Sequence, residues 1–450
     1  MDAALKQEVE NWIADDPDPA TALALTELVN RGDEATLRKY FSGFLQFGTA
    51  GLRGPIGPGP SCMNRAVVGR TAAGIAAYMK KRGMNSVVIG RDARYGSEDF
   101  TFETAEIMSG AGMKVFILPR PLPTPVLAFA TSALKCDIGI MVTASHNPPE
   151  DNGYKVYIGP VADGIDYAAS QIINPTDHLI AAAIAAVKSL AQIPRAKTWT
   201  VLGEEVISEY VRRTALIAPN PGDLKIVYTA MHGVGWQTLN AVFTESGFNS
   251  PIPVIEQRDP DPAFPTVAFP NPEEKGALDL ALDLAAQLNA DVLLANDPDA
   301  DRLAVALPDT SGWKALRGDQ IGTLLGWWMI ERARMANQEL TGTFANSIVS
   351  SMLLEPIAKA AKLDYENTLT GFKWVSRVEN LLFGYEEALG YCVDPNNVSD
   401  KDGISAAAIF VELIAELKNR NQTAWQVLDQ LALEHGLHVT DQVSMRVTDL

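Results

Sequence analysis

The chain has little cysteine and no long apolar run. Only three cysteines occur among 450 residues, and Cys62, Cys136 and Cys392 lack the spacing of a disulfide framework or a zinc site. No window approaches the roughly 18 consecutive apolar residues that a membrane-spanning helix requires. The polar, acidic first residues also lack the basic start and apolar centre of a secretory signal. We therefore expect a cytoplasmic protein with no membrane partner.

Positive charge is scarce as well. Lysine and arginine number 37 against 55 aspartates and glutamates, which gives a formal net charge of −18. A protein that binds nucleic acid needs a concentrated basic face, so this balance argues against such a partner. If the substrate is anionic, the site itself must supply positive charge locally.

Short apolar runs alternate with helical patterns along most of the chain. Strand-like runs occur at 87–90, 114–118, 225–228, 292–295 and 344–349. Helical patterns occur at 1–40, 65–79, 100–113, 276–288 and 318–335. This alternation predicts an α/β fold built from mixed or parallel sheets.

Turn-forming segments divide the chain into three similar α/β domains with mixed sheets. The divisions fall near turns at 193–195, 218–222 and 309–312, and a proline-rich excursion over 251–272 interrupts the second domain. We expect a serine-bearing domain at 1–205, an aspartate-bearing domain at 206–312, a third α/β domain at 313–430, and a linker at 431–450.

The last residues alternate between apolar and polar side chains. Val443, Met445 and Val447 are the apolar members, as in a half-buried strand. This pattern predicts the start of a further domain within 431–450. The alternative is a terminal strand that completes an existing sheet.

A serine follows an apolar, strand-like run in the stretch TASHNP at 143–148. Placed in such a loop, Ser145 is a candidate nucleophile or phosphate carrier, and His146 and Lys155 are candidate acid/base or phosphate-binding groups. The alternative is a strand-to-loop cap, because serine and asparagine commonly bond their own backbone there.

Three carboxylates follow another apolar run in NDPDADR at 296–302. Asp297, Asp299 and Asp301 would repel one another unless a cation neutralises them. An all-oxygen ligand set suits Mg²⁺, which also takes phosphate oxygens. The alternative is a solvated acidic turn. Together with Ser145, this loop indicates phosphoryl transfer through a phosphoserine.

Two arginines lie beside candidate phosphate-binding or metal-binding loops. Arg53 follows the glycine-rich stretch GTAGL at 48–52, where the backbone could approach a phosphate closely. The alternative is an ordinary turn. Arg302 follows the acidic loop directly, and either pairs with Asp301 or reaches a phosphate with two nitrogen donors.

Candidate sugar ligands occur in the last third of the chain. Glu386, in EEALG at 386–390, either accepts hydrogen bonds from sugar hydroxyls or belongs to an acidic helix N-terminus. Lys373 offers a cation beside an aromatic residue, for a ligand or for packing. Lys401 precedes a long apolar helix and either contacts substrate or forms part of the cap of that helix.

The chain resembles the α-D-phosphohexomutase superfamily over nearly its whole length. Four motifs occur in the order found in that superfamily: GTAGLR, TASHNP, DPDADR and EEALG. Three further stretches resemble the phosphoglucomutase/phosphopentomutase branch of that superfamily. They are DNGYKVY at 151–157, MHGVG at 231–235 and TGFKW at 370–374.

The resemblance implies a phosphosugar mutase. Phosphorylated Ser145 would give its phosphoryl group to a sugar monophosphate, and the resulting bisphosphate would return its other phosphate to Ser145. Mg²⁺ would be held by Asp297, Asp299, Asp301 and a phosphoserine oxygen. The resemblance also places four candidate groups around the substrate: Arg53, His146 and Lys155 (a candidate general base) at the transferring phosphate, and Glu386 at the sugar hydroxyls.

The chain departs from the family in two places. Ala388 stands where many relatives have serine in the sugar-binding loop. The Ser-Gly-Thr phosphate-binding loop of the family's fourth domain does not occur in the sequence. We therefore expect the fourth domain to be missing from this chain.

The expected substrate is glucose phosphate first and ribose or deoxyribose phosphate second, with glucose 1,6-bisphosphate as activator. A glucose 1,6-bisphosphate synthase and a hexosamine phosphate mutase are alternatives within the enzyme class. A phosphosugar-binding protein without turnover is the alternative outside it. The missing fourth domain favours this last alternative, whereas retention of Ser145 and the three aspartates argues against it. The sequence does not predict the oligomeric state.

Overall fold

Three mixed β-sheets follow one another along the chain, each flanked by helices, so the predicted α/β architecture of three domains is confirmed. They are seen in a computed structural model that describes residues 1–46, 51–162, 165–166 and 168–441. The predicted terminal strand, which includes Val443, and part of the glycine-rich loop, at 48–50, lie outside the described residues.

Three helices open the chain, as the helical pattern over 1–40 predicts: α1 (Ala3–Asp15), α2 (Pro19–Arg31) and α3 (Glu34–Tyr40). Each begins after an aspartate whose carboxylate accepts a hydrogen bond from a main-chain N–H of the first turn. Such a cap satisfies an N–H that has no partner within the helix.

The first sheet has six strands in the order β1-β5-β4-β2-β3-β8. Strands β4, β2, β3 and β8 run parallel, whereas β5 and β1 are antiparallel to their neighbours. The elements of this region are β1 (Leu52–Pro55), α4 (Arg65–Lys81), β2 (Ser86–Arg91), α5 (Ser97–Gly110), β3 (Lys114–Ile117), α6 (Thr124–Ala133), β4 (Ile138–Val142), β5 (Asp151–Ile158), the short pair β6 (Val161–Ala162) and β7 (Ile165–Asp166), α7 (Thr176–Ala185), a 3₁₀ turn (Leu190–Gln192) and β8 (Thr200–Val201).

The second sheet has five strands in the order β10-β9-β11-β12-β13, and its first three strands are parallel. Its elements are α8 (Glu205–Leu216), β9 (Ile226–Thr229), α9 (Gly235–Glu245), β10 (Ile252–Pro253), α10 (Ile255–Arg258), α11 (Asp279–Leu288), β11 (Val292–Ala295), β12 (Ala304–Asp309) and β13 (Gly312–Ala315). Because β13 forms a hairpin with β12, the second sheet extends past the division predicted after residue 312.

The third sheet has four strands in the order β15-β14-β16-β17, of which only β17 is antiparallel. Its elements are α12 (Gly318–Met335), β14 (Thr343–Ser347), α13 (Leu354–Ala360), β15 (Asp364–Thr368), α14 (Phe372–Val375), β16 (Leu381–Glu386), β17 (Gly390–Cys392), α15 (Gly403–Asn419) and α16 (Ala424–His435). No helix among the described residues combines the length and apolarity needed to cross a bilayer.

The same local arrangement recurs in all three sheets: a parallel strand ends in a loop, and the next strand returns antiparallel beside it. Strand β4 leads through 143–150 into β5, β11 leads through 296–303 into β12, and β16 leads through 387–389 into β17. These loops lie at the carboxyl ends of parallel strands, where α/β sheets bind ligands. The serine, aspartate and glutamate motifs therefore occupy equivalent positions in successive sheets.

The three domains share apolar packing. One continuous cluster of buried side chains includes Phe129 on α6, Leu294 on β11, Ile321 on α12 and Phe410 on α15. Strands β4 and β11 are buried along their whole length, which explains why their sequences are apolar without alternation. This packing fixes the loops of different domains relative to one another.

Candidate active site

The serine and aspartate loops meet at the contact between the first and second domains. Ser145 is buried, and its hydroxyl donates a 2.7 Å hydrogen bond to Oδ2 of Asp297. The main-chain N–H of Ser145 is held by the hydroxyl of Thr143 at 2.9 Å. A simple strand cap at Ser145 does not account for this contact, because the hydroxyl points at a carboxylate of another domain rather than at its own backbone.

The three aspartates form one buried cluster. A carboxylate oxygen from each of Asp297, Asp299 and Asp301 lies within 4.8 Å of the other two. All three side chains are at most 1% exposed, which excludes the solvated acidic turn. Such a cluster requires nearby positive charge, because buried carboxylates repel one another strongly.

Two lysines supply part of that charge. Lys155 Nζ donates to Oδ2 of Asp299 and to Oδ2 of Asp301, each at 2.7 Å. Lys401 Nζ lies 3.3 Å from Oδ2 of Asp301. Lys155 comes from β5 of the first domain and Lys401 from the loop before α15, so the cluster joins all three domains.

The surroundings act differently on the three carboxyl groups. Burial, together with repulsion from Asp299 and Asp301, raises the pKa of Asp297. Burial also opposes ionisation of Asp299, but the Lys155 ammonium and hydrogen bonds from Lys155 and Thr124 hold its pKa below the usual range. Lys155 and Lys401 similarly outweigh burial and repulsion at Asp301, whose pKa is lowered.

The oxygens left over in the cluster fit a divalent cation. Asp299 Oδ1 and Asp301 Oδ1 are buried and have no hydrogen-bond partner among the described residues. A buried acceptor without a partner is costly, and a bound cation would remove that cost. The set is entirely oxygen, as Mg²⁺ prefers. Asp297, Asp299 and Asp301 are therefore the residues that would hold a metal ion, beside the hydroxyl of Ser145.

His146 lies next to the serine hydroxyl, with Nδ1 3.3 Å from Ser145 Oγ. Burial lowers the pKa of His146, and the cations of Arg302 and Arg53 lower it further, to about 2. The imidazole is therefore neutral at physiological pH. It can exchange a hydrogen bond with the serine but carries no charge of its own.

Arg53 reaches the same loop from β1. Its Nη1 donates to Oδ1 of Asn147 at 3.3 Å, and its Nε has no partner among the described residues. The nearby Gly51 has φ +84°, and a Cβ there would lie 2.6 Å from the carbonyl oxygen of Tyr154. Glycine is thus needed at 51 to let β1 approach β5, which carries the arginine into the site.

The sugar-loop candidates lie on the other side of the aspartates. Glu386 is buried at the end of β16, which excludes the acidic helix N-terminus for this residue. Burial raises the pKa of Glu386, and Lys401 and Arg302 partly offset this effect. A Cβ on Gly390 would overlap both Lys401 Cδ and Glu386 Cγ, so glycine is needed where these two side chains meet.

Contacts within the protein bear on the alternatives for Arg302 and Lys401. The side chain of Arg302 pairs with Glu273 at 3.7 Å rather than with Asp301, although its main-chain N–H donates to Asp297. Asp402, not Lys401, caps α15 through hydrogen bonds from its first turn. Lys401 is thereby left to face the aspartate cluster.

Lys373 is placed differently from the other candidates. It lies on the short helix α14 with Nζ 5.9 Å from the ring of Trp374. None of the contacts found among the described residues joins it to the aspartate cluster. Its predicted role in substrate binding is not supported by this arrangement and stays a prediction.

Sequence reasoning missed three buried residues that support the site. Thr124 Oγ1 donates to Asp299 Oδ2 at 2.5 Å, and Arg94 and Asp92 hold the loop around Ser145. A signal was present in the sequence for the last two, because both follow the carboxyl end of β2, next to the serine strand. Thr124 follows a proline-rich turn and gave no such signal.

The chain matches models of one protein family over most of its length. The models describe the phosphoglucomutase/phosphomannomutase alpha/beta/alpha domains. Domain I matches residues 45–182, domain II matches 207–312 and domain III matches 317–433. Each match contains most of the strands of one of the three sheets.

Individual proteins show the same similarity. A probable phosphomannomutase from Haemophilus influenzae is 49% identical over 393 residues, covering 86% of this chain and 79% of that protein. A phosphopentomutase from Mus musculus is 38% identical over 471 residues, covering 98% of this chain and 75% of that protein. A putative phosphomannomutase from Thermus thermophilus has a similar fold, with a TM-score of 0.71 at 24% identity, covering 88% of this chain and 85% of that chain.

Proposed function

The chain belongs to the phosphoglucomutase/phosphomannomutase family within the α-D-phosphohexomutase superfamily, and on that premise we propose which phosphosugar it converts and how. It moves a phosphoryl group between the 1-position and the terminal hydroxyl of glucose phosphate, or of a pentose phosphate. The group passes through phosphorylated Ser145 and a sugar bisphosphate. The contact between Ser145 Oγ and Asp297 carries this proposal, because it places the acceptor hydroxyl on the carboxylate cluster.

The phosphoserine is the donor in the first half of the reaction. The bond from phosphorus to Ser145 Oγ breaks, and a sugar hydroxyl oxygen forms the new bond to phosphorus. Lys155 is the group proposed to take the proton of that hydroxyl, for which it must act as the neutral amine, after giving the proton that it now donates to Asp299 or Asp301 to one of these carboxylates. In the second half, the other phosphate of the bisphosphate returns to Ser145 and leaves the isomerised monophosphate.

Positive charge around the serine stabilises the transferring phosphate. Arg53 is available for this role, since its Nε has no partner among the described residues. His146 is neutral and contributes a hydrogen bond at Ser145 Oγ. Mg²⁺ bound by the three aspartates would add electrophilic stabilisation of phosphate oxygens when present.

The sugar is proposed to lie against the third domain. Glu386 and Lys401 meet over Gly390, and Arg302 lies beside them. A carboxylate accepts hydrogen bonds from sugar hydroxyls, whereas the lysine and arginine suit a phosphate. The relatives bear the names phosphomannomutase and phosphopentomutase. The identity of the sugar is therefore the point to test first.

A coupled assay tests the proposal. Glucose 1-phosphate, mannose 1-phosphate and ribose 1-phosphate are compared in the presence of Mg²⁺ and a trace of glucose 1,6-bisphosphate. We expect turnover of at least one of them, highest with glucose 1-phosphate. Turnover only when an external phosphoryl donor replaces the bisphosphate would indicate bisphosphate synthesis instead. Failure of Ser145 to acquire phosphate from any donor would overturn the mechanism.

A further inference from the structure

A buried arginine holds the loop that carries Ser145. Arg94 lies just after β2, and its side chain is 1% exposed. Its two terminal nitrogens donate to three main-chain carbonyls of the loop and to the first carbonyl of β5: Ser145 O at 2.6 Å, Asn147 O at 2.6 Å, Pro148 O at 2.7 Å and Asp151 O at 3.2 Å. A planar guanidinium can serve several acceptors at once because its donors point in fixed directions.

Asp92 completes the arrangement on the other side of Ser145. Its Oδ2 accepts a hydrogen bond from Thr143 Oγ1 at 2.6 Å, and that hydroxyl accepts one from Ser145 N at 2.9 Å. Its Oδ1 accepts from the main-chain N–H of Arg94 at 3.0 Å. The N–H and the C=O of Ser145 are therefore both tied to the same buried ion pair.

The backbone of Ser145 needs such support. Its φ is +52°, in the left-handed region that non-glycine residues adopt only at a cost. If the loop relaxed toward ordinary dihedral angles, the hydroxyl would leave its 2.7 Å contact with Asp297. A displacement of about 1 Å at a reacting group can lower a rate about 10²-fold.

The donors of Arg94 face the backbone of the loop and Asp92, whose Oδ2 lies 3.4 Å from Arg94 Nε. Both of its terminal nitrogens are committed to carbonyl oxygens of the loop. Its guanidinium also lies 4.9 Å from the ring centroid of Phe264, which belongs to the second domain. Arg94 therefore lies at the contact between the first and second domains, where the Ser145 hydroxyl donates to Asp297.

We propose that Arg94 and Asp92 are positioning residues that hold Ser145 in the orientation required for phosphoryl transfer. The inference rests on the proposed role of Ser145 as phosphoryl carrier. It adds two residues, outside the four motifs named in the sequence analysis, on which the rate of transfer depends. It also explains why two charges are buried in the first domain beside the serine loop.

The test is Arg94→Lys in the full chain. Lysine keeps the charge but lacks the planar fork, so it cannot serve four carbonyls at once. We expect kcat to fall about 10²-fold while KM for the best phosphosugar stays within about twofold. We also expect amide hydrogens of the peptide 143–151 to exchange about tenfold faster or more.

Arg70→Lys is the matched control. Arg70 is a partly buried arginine of the first domain, with its side chain 13% exposed, and it donates to Val187 O and to Asp15 Oδ2, away from the serine loop. The control should leave both kcat and exchange in 143–151 unchanged. An effect of the same size in both variants would mean that Arg94 is merely structural.

Two results would overturn the proposal directly: wild-type kcat in Arg94→Lys, or unchanged exchange in 143–151. If that variant does not fold, Thr143→Val removes the link from Asp92 to Ser145 N with a side chain of similar shape, and the same two readouts apply. The hydrogen-exchange measurement does not depend on turnover. If the wild-type protein converts no phosphosugar, the proposed function is wrong. The exchange rates of 143–151 then still show whether Arg94 holds the loop.

Discussion

The hydroxyl oxygen of Ser145 lies 2.7 Å from Oδ2 of Asp297, although the two residues are 152 positions apart in the chain. In the sequence, a capped strand end would explain the serine loop and an acidic turn would explain the aspartate loop. Neither explanation accounts for the contact between the two loops. This contact places a buried hydroxyl against a carboxylate cluster in which two oxygens have no hydrogen-bond partner among the described residues. The role of each group around this contact can be tested separately.

Ser145→Ala should abolish turnover. The variant lacks the oxygen that carries the phosphoryl group, so we expect kcat to fall by about 10³-fold or more. Intact-protein mass spectrometry should show no phosphate after incubation with glucose 1,6-bisphosphate. Ser246→Ala is the control, because that hydroxyl donates to Val242 O on α9. Phosphate incorporation at the wild-type level in Ser145→Ala would exclude the carrier role.

Asp301→Asn should weaken metal binding. It removes one carboxylate ligand and leaves Lys155 and Lys401 without their shared partner. We expect Mn²⁺ affinity, measured by electron paramagnetic resonance, to fall at least about tenfold. Asp309→Asn, in the β12–β13 turn, should not change it. Chelation should remove activity and Mg²⁺ should restore it; full activity after exhaustive chelation would refute the metal assignment.

Thr124→Val should reduce metal affinity without touching a metal ligand. Its hydroxyl orients Asp299 through a 2.5 Å hydrogen bond, and loss of such a partner typically costs about 10–100-fold in affinity. Thr131→Val on the same helix is the control, since Thr131 donates only to Leu127 O among the described residues. Calorimetric titration with Mn²⁺ distinguishes the two variants. Equal affinities in both would show that Thr124 does not orient the aspartate.

Asp402 should make the protein less stable as the pH rises. Burial raises the pKa of Asp402 from 3.8 to about 6, despite hydrogen bonds from Ser405 and Tyr210. A carboxyl group with a raised folded-state pKa favours folding below about pH 4, and this contribution is lost as the pH rises through about 6. The loss is at most on the order of 3 kcal/mol.

Asp402→Asn tests this dependence. Asparagine keeps the cap of α15 but stays neutral at every pH. The thermal midpoint of the variant should therefore rise relative to wild type between pH 4 and pH 7, as followed by circular dichroism. The same change at Asp18, the cap of α2, should give no such trend. A constant difference across this range would refute the assignment to Asp402.

Several elements were predictable because their signals are local. Helix α12 begins and ends where the apolar periodicity predicts, and the buried strands β9 and β11 correspond to short apolar runs. Helix α11 begins at Asp279, three residues after the predicted start at 276. The turn at 309–312, where the sequence predicts a domain division, closes the β12–β13 hairpin.

Contacts between distant residues were not predictable in this way. Lys155 follows the serine motif in the sequence, and Lys401 follows the glutamate motif. The sequence did not show that both ammonium groups approach Asp301. It likewise left a ligand role and a packing role open for Lys373, whose Nζ lies 5.9 Å from the ring centroid of Trp374, and the ligand role stays a prediction. Side chains of this length reach their partners only when the domains are packed.

The chemical groups of the site are readable from the sequence: a serine, three aspartates and a glutamate, each at the end of an apolar strand. Those signals are local, because strand periodicity and the residue types in a loop are read from neighbouring positions. Which of these groups meet depends on how the domains pack. Burial between three domains removes water from the aspartates, so that Lys155, Lys401 and the Ser145 hydroxyl must serve as their partners. The support of Ser145 by Arg94 also depends on tertiary structure, within the first domain, since its four acceptors are main-chain carbonyls that any sequence provides.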